Sequence, residues 1–247
     1  DIINHYNKAR DDLDKITCSQ DNIDSLHEQI TQKRAEIANG AIELSMHREK
    51  IFAVLSKEIE KHLKELGMEK ARFIVIDKLV KEPDGIVVYG DEHYKTREIG
   101  IDNIEFYIAP NPGEEPKPLR KIASGGEISR IMLALKTVLA ENDQVPIMVF
   151  DEIDVGIGGK VAESLGKKLS GLGNIRQIVC ITHLTQIAKY ADSHYLVTKE
   201  VKGGRTHTRI KLLNREERVM EVARMLTGDK ITDKTIAHAR ELLSEKK

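Results

Sequence analysis

The first 66 residues lack proline and contain a single glycine, so almost nothing in this stretch forces a helix to end. Within it, an apolar side chain returns at every seventh position, at Ile23, Ile30, Ile37, Leu44 and Ile51. A repeat of seven keeps one apolar stripe of a helix turned toward a partner helix. The pattern predicts a long amphipathic helix that belongs to a coiled coil.

The second core position of this repeat is only partly apolar. Leu26 and Val54 fill it at the two ends, whereas a lysine, a glycine and a histidine fill it in between. Farther along, the apolar phase moves to Leu55, Ile59 and Leu66, which is typical of a stutter in a coiled coil. A surface helix lying on a globular domain is the alternative, although an unbroken pattern of about 44 residues is long for one.

A shorter helix is predicted over residues 2–16. Residues 19–22, between the two helices, read Ser-Gln-Asp-Asn, and serine, aspartate and asparagine favour turns and helix starts. This segment predicts two antiparallel helices joined as a small hairpin. We therefore expect a coiled-coil arm segment over residues 1–66 and a separate lobe over residues 67–247.

From residue 67 onward, short apolar runs alternate with helical patterns. Four of the six prolines lie between residues 110 and 118 and predict an irregular connector. The alternation, with uncharged strand cores, predicts an α/β fold around a parallel sheet. We expect strands over residues 72–77, 85–90, 103–108, 147–150 and 176–181, helices over 126–142 and 159–171, a hairpin over 194–213 turning at Gly203 and Gly204, and two C-terminal helices.

The composition of the chain excludes few functions. A net charge of −1 gives no overall sign of a nucleic-acid binder, although a small basic surface is compatible with it. Cys18 and Cys180 lie far apart without metal-ligand spacing, which predicts free thiols in a reducing compartment. No apolar run is long enough for a membrane helix, so no membrane partner is expected. Because the chain begins at Asp1 inside a charged helical pattern, we expect a piece of a longer protein.

Residues 123–127 read Ala-Ser-Gly-Gly-Glu directly before a predicted helix, and we call them the glycine-rich segment. Ser124 is suited to cap the helix, and Gly125 and Gly126 allow a backbone to approach a ligand closely. A helix start offers free N–H groups and a positive dipole end, where an anion such as a phosphate binds. Taken alone, the segment is a weak signal, and a simple glycine-rich turn that caps a helix is the favoured alternative.

The second motif is the apolar run 147–150, which ends in Asp151 and Glu152. Ligands bind at the carboxyl ends of buried parallel strands. There, Asp151 is suited to hold Mg²⁺, and Glu152 is suited to orient and deprotonate an attacking water. Asp154 adds a third carboxylate in the same turn. Two solvated acids at a strand end are the alternative.

The third motif is another apolar strand, which ends at Thr182 and His183. From a neighbouring strand, His183 is placed to reach a phosphate or the attacking water. A single histidine at such a position is more often structural, so this motif alone decides little.

The order and spacing of the three motifs resemble the ABC ATPases, among them the SMC-like heads, and within that group the RecN family of bacterial double-strand-break repair proteins. The resemblance implies the C-terminal lobe of an ABC-type P-loop ATPase head, with a parallel-sheet core, preceded by an α-helical coiled-coil segment. It covers essentially the whole chain, and the most similar stretches are residues 66–73, 119–136, 151–159 and 182–188.

The resemblance also implies roles for single residues. The nucleotide would be bound by Ser124, Gly125, Gly126 and Glu127, acting on ATP held by a second head. Asp151 would serve the Mg²⁺ ion. Glu152 would be the catalytic base, and His183 would be the switch histidine that contacts the phosphate.

Two positions depart from the family patterns. Ala123 stands where many ABC proteins have leucine, a change that should affect packing rather than ATP contact. Many SMC heads have an aspartate seven residues beyond the metal-binding aspartate, where this chain has Gly158. The usual contact of that loop across a dimer is therefore in doubt. Gly156, Gly158 and Gly159 suit RecN rather than a generic SMC protein.

The chain contains no Walker A loop, which requires Gly-x-x-x-x-Gly-Lys followed by Ser or Thr. Its Gly159-Lys160 pair is followed by Val161 and lacks the upstream glycine. In the family, this loop precedes the coiled coil. The implied partner is therefore the N-terminal half of the same protein, and the chain alone is expected to hydrolyse ATP negligibly.

Other implied partners are a second copy of the head and DNA, at ends or as single strands, in a cytoplasmic, nucleoid-associated setting. The segment 199–215 is rich in lysine and arginine and is a weak candidate for DNA contact, with a solvated hairpin as the favoured alternative. An SMC-type chromosome-structuring ATPase and a non-catalytic interaction module remain open. A transporter ATPase subunit fits less well, because such subunits lack a long coiled coil.

Overall fold

A computed structural model describes residues 2–140, 143–202, 204–228 and 230–244. Its first element is a single helix, α1, over Ile2–Glu65. The turn predicted at residues 19–22 is wrong, because the backbone stays helical through it. Serine, aspartate and asparagine cost a helix only a few tenths of a kcal/mol, roughly, and no proline or glycine adds to that cost.

The remaining elements form an α/β fold, as predicted. The strands are β1 (Arg72–Asp77), β2 (Val87–Tyr89), β3 (Glu92–Tyr94), β4 (Ile104–Ala109), β5 (Lys117–Pro118), β6 (Ile147–Phe150), β7 (Gln177–Cys180), β8 (Tyr195–Lys202) and β9 (Arg205–Leu212). The helices are α2 (Gly125–Val138), α3 (Gly159–Gly173), α4 (Thr185–Ala188), α5 (Arg215–Thr227) and α6 (Asp233–Ser244), with a 3-10 turn at Leu119–Lys121.

Most predicted elements lie within two residues of their observed bounds. The strand predicted over 85–90 is shorter, and it pairs with β3, which was not predicted. The helix predicted over 126–142 ends at Val138, and residues 141 and 142 lie outside the described residues. The predicted hairpin is β8–β9, with Gly204 at φ 76° in its turn; the other predicted turn residue, Gly203, is not among those described.

The chain divides into two compact units, one of residues 1–53 and 75–105 and one of residues 54–74 and 106–247. In the first unit, Ala41 of α1 is buried with Val87 and Ile101. In the same unit, Nη1 of Arg48 forms a salt bridge with Oδ2 of the buried Asp102 at 2.5 Å. In the second unit, Ile59 and Leu63 at the end of α1 and Leu66 just after it are buried, where the sequence shows its change of apolar phase. The arm of residues 1–66 and lobe of residues 67–247 remain a prediction.

The parallel pair β6–β7 is the part of the second unit that carries the motifs. Phe150 is in register with Cys180, so the carboxyl ends of the two strands lie side by side. On one face of the pair, Met148 and Phe150 are buried. The helices α3 and α4 approach closely at Gly166, where an added Cβ would lie 2.8 Å from the carbonyl oxygen of Gln186. Among the described residues, no helix is both long and apolar enough to cross a membrane.

Candidate functional site

Asp151 and Glu152 directly follow β6 and are both exposed. The Asp151 carboxylate accepts a hydrogen bond from the Glu152 backbone N–H at 2.9 Å. Glu152 has φ 57°, in the left-handed region, which costs a non-glycine residue about 1–2 kcal/mol. Strained backbone of this kind is concentrated at functional sites, so the turn supports a functional role for the acidic pair.

The glycine-rich segment begins α2, as predicted. Ser124 is the N-cap residue, and its Oγ accepts a hydrogen bond from the Glu127 backbone N–H at 3.4 Å. The first backbone N–H groups of a helix have no partner within the helix, so they are free to bind an anion. The segment therefore supplies the helix start that the sequence predicts.

The two glycines allow α2 to lie against the turn after β6. A Cβ added at Gly125 would overlap Oε2 of Glu152. A Cβ added at Gly126 would lie 3.1 Å from the Glu152 carbonyl oxygen and 3.2 Å from Nη1 of Arg130. The glycine-rich segment thus contacts Glu152 of its own chain. The backbone contact accounts for Gly126, whereas at Gly125 the nearest atom is the end of a flexible side chain that can move.

Arg130 joins α2 to the same turn, a role that the sequence analysis missed. Its guanidinium is buried and donates hydrogen bonds to the carbonyl oxygens of Ile153 at 3.4 Å and Val155 at 3.0 Å. Burial lowers the pKa of this guanidinium. Ser129 adds a hydrogen bond from its Oγ to the Asp151 carbonyl oxygen at 3.0 Å. An arginine on the apolar face of α2 was the sequence signal for this contact.

Asp154 links the turn after β6 to the end of β7. Its Oδ2 accepts hydrogen bonds from Thr182 Oγ1 at 2.6 Å and from the His183 backbone N–H at 3.1 Å. Nδ1 of His183 lies 3.1 Å from the same oxygen. The Asp154 side chain is 5% exposed, whereas that of His183 is 76% exposed. The predicted switch histidine is therefore exposed, with one ring nitrogen close to a buried carboxylate.

Cys180 precedes this histidine on β7. Burial, together with the negative charges of Asp154 and Asp151, raises the pKa of its thiol to about 12. Such a thiol is almost entirely protonated near neutral pH and is a poor nucleophile. The carboxylates and the histidine are therefore the candidate reactive groups at this end of the strands.

The donor groups at this edge fit Mg²⁺ bound together with a nucleotide. Within the described residues, no cluster of three or more histidine, cysteine or acidic side chains could hold a metal ion alone. Magnesium commonly takes one or two carboxylates and completes its shell with substrate phosphates and water. Asp151, exposed after β6, suits that role. A dedicated protein cage for the ion is not present among these residues.

The basic hairpin β8–β9 lies apart from these contacts in the sequence. All residues of β9 are exposed. Two of its cations have acidic partners, since Arg209 lies 3.8 Å from Glu200 and Lys211 lies 2.5 Å from Glu217. This partial neutralisation agrees with the solvated hairpin favoured from the sequence.

The α/β fold and the order of the motifs at the shared end of β6 and β7 are those predicted from the resemblance to SMC-like ABC heads. No family model matches it. The chain is 38% identical over 242 residues to the DNA repair protein RecN of Halalkalibacterium halodurans, which covers 98% of this chain and 41% of that protein. It is 37% identical over 248 residues to RecN of Bacillus subtilis, covering 99% of this chain and 43% of that protein. The predicted resemblance to the RecN family is confirmed, over about two fifths of the relatives' length.

Solved structures similar to the chain include SMC head domains. Another similar chain, described under the structural biochemistry of ATP-driven dimerization and DNA-stimulated activation of SMC ATPases, is 15% identical with a TM-score of 0.40, covering 73% of this chain and 96% of that chain. An Smc head domain with a coiled coil and joint, derived from Pyrococcus yayanosii, is 17% identical with a TM-score of 0.45, covering 70% of this chain and 29% of that chain.

Proposed function

We propose that the chain forms part of an ATP-hydrolysing DNA repair protein of the RecN type. The observation that carries the proposal is the meeting of the glycine-rich segment, the acidic pair and the anchored His183 at one end of β6 and β7. A helix start, a Mg²⁺-binding acid, a base and a histidine serve phosphoryl transfer to water together with a Walker A loop, which the proposal assigns to the N-terminal half.

In this proposal each residue keeps the role that the motifs predict. Asp151 would hold Mg²⁺, and the ion would supply positive charge to the phosphates of ATP. Glu152 accepts a proton from the attacking water, and His183 contacts the γ-phosphate or that water. The start of α2, at Ser124 and Gly125, binds the γ-phosphate of ATP held by a second head.

A bare face of the β6–β7 pair supports the proposal that another part of the protein completes the head. Ile147 is 51% exposed, Val149 is 66% exposed and Ile181 is 58% exposed, although all three are strand-type apolar residues. A parallel sheet is normally covered on both faces. We expect the N-terminal half of the protein, with its Walker A loop, to cover this face.

The apolar stripe of α1 supports the coiled-coil arm. Ile23, Ile30, Ile37, Leu44 and Ile51, spaced by seven, are each between 39% and 57% exposed. Such a stripe is stable in water once a second helix packs against it. A helix from the N-terminal half is the proposed partner. The proposed role of the arm is to transmit the nucleotide state of the heads to bound DNA ends or single strands, in the cytoplasm near the nucleoid.

The proposal is tested by mixing this chain with the separately produced N-terminal half. Neither part alone should hydrolyse ATP, and the mixture should do so in a Mg²⁺-dependent manner that responds to DNA ends. Replacing the Walker A lysine of the N-terminal half provides the control and should abolish the activity. A stable complex of the two halves without ATP hydrolysis would favour the non-catalytic interaction module.

A further inference from the structure

Asp154 is a buried acid without an assigned role in the reaction. It is 4% exposed, and a buried carboxylate is costly unless it is hydrogen-bonded or paired. Two hydrogen bonds, from Thr182 Oγ1 and the His183 backbone, end on one oxygen, Oδ2. The third group near this oxygen is the His183 imidazole. The hydrogen bonds that Asp154 accepts join the turn after β6 to the residues that follow β7.

We propose that Asp154 is the positioning residue of His183, fixing both its ring direction and the nitrogen that faces the nucleotide. A hydrogen bond to a carboxylate decides which nitrogen of a histidine carries the proton. Nδ1 of His183 lies 3.1 Å from Asp154 Oδ2. With the proton on Nδ1, Nε2 is the ring atom left for the substrate. This inference rests on the proposed ATPase function of the site.

The exposure of the two side chains explains why such an anchor is needed. An imidazole that is 76% exposed has little packing to select one rotamer. Asp154 is held rigidly, because its neighbour Ile153 is fully buried and Arg130 binds the carbonyl oxygens of Ile153 and Val155. The rigid carboxylate of Asp154 therefore fixes the orientation of an imidazole ring that would otherwise be mobile.

The same contacts connect the histidine to the glycine-rich segment. Arg130 belongs to α2, which that segment begins, and it binds the residues on both sides of Asp154. A shift of α2 would move Asp154 and with it His183. A change in position at the start of α2 would thus be transmitted through the turn after β6 to His183.

The inference is tested by a double-mutant cycle on the full-length protein, with Asp154→Ala, His183→Ala and the double variant. If Asp154 acts through His183, Asp154→Ala lowers kcat by about 10–100-fold in the wild-type background, with a smaller change in KM. In the His183→Ala background it has almost no further effect on kcat. Equal fold losses in the two backgrounds would overturn the inference.

A second readout does not need ATPase activity. In protein labelled with ¹⁵N-histidine, the His183 ring signals, assigned by their loss in His183→Ala, should show the proton on Nδ1. Asp154→Ala should change that tautomer, and Asp154→Asn, which keeps an oxygen acceptor, should restore it in part. An unchanged ring signal in Asp154→Ala would overturn the inference even if the enzyme is active. If the protein lacks ATPase activity but the tautomer responds, the proposed function fails while the positioning role stands.

Discussion

Replacing Glu152 with glutamine in the full-length protein is expected to lower the kcat for ATP by about 10²–10⁴-fold, the usual contribution of a general base. Glutamine has a similar shape but cannot take the proton of the attacking water. ATP binding should persist, since Asp151 and the glycine-rich segment are unchanged. Steady-state ATPase assays and size-exclusion chromatography with ATP measure the two effects, and the variant should accumulate as an ATP-bound head dimer.

A matched control for this change is Glu69→Gln, at an exposed position outside the motifs. It should leave kcat and the dimer fraction unaltered. Wild-type turnover in Glu152→Gln would remove Glu152 from the role of base, and the left-handed backbone at this residue would then need another explanation.

Replacing Arg130 with methionine is expected to destabilise the protein by about 1–3 kcal/mol, because the carbonyl oxygens of Ile153 and Val155 lose their shared donor, Nη1. Methionine keeps much of the apolar length of the side chain, so the loss reports mainly on the hydrogen bonds to Ile153 and Val155. The shift of the urea midpoint at constant m-value measures the change. ATP turnover should also fall, since the turn that carries Glu152 is no longer fixed to α2.

Lys167→Met is the control for this variant, because Lys167 is an exposed cation on α3. Its expected effect is within about 0.5 kcal/mol, as for other surface substitutions. If Arg130→Met were as stable as Lys167→Met, the contacts of Arg130 would not hold α2 to the turn after β6.

Much of the fold follows from local sequence patterns. The apolar runs of β6 and β7 and the acids or histidine behind them predicted a parallel pair with its chemistry at one end, and the register of Phe150 with Cys180 confirms the shared edge. The seven-residue repeat predicted the long helix. Each of these signals depends on residues that are close in the sequence.

The turn expected at 19–22 rested on weak single-residue preferences, which a continuous helical ladder overrides.

The contacts that sequence reasoning missed join residues that are distant in the sequence. The contacts of Arg130 with Val155, and of Asp154 with His183, join residues 25 and 29 positions apart. The glycines at 125 and 126 were interpreted as a ligand site or a helix-capping turn, and their close approach to Glu152 was not predicted.

That packing leaves two arrangements for the ATP site. In the proposed arrangement, the glycine-rich segment of one head completes the site that contains Glu152 of the other head. The contact of Gly125 with Glu152 in a single chain makes a site within one head the physical alternative. The two arrangements require different combinations of intact residues, so they can be separated by complementation.

The most direct measurement is the ATPase rate of full-length Ser124→Arg and Glu152→Gln proteins, each alone and after co-expression. Each variant alone should be inactive in either arrangement. If the site is shared between heads, a mixed dimer contains one site with Ser124 and Glu152 both intact. Random pairing should then restore about a quarter of the wild-type rate, since half of the dimers are mixed and each has one of two sites. A mixture as inactive as its components would contradict the shared site.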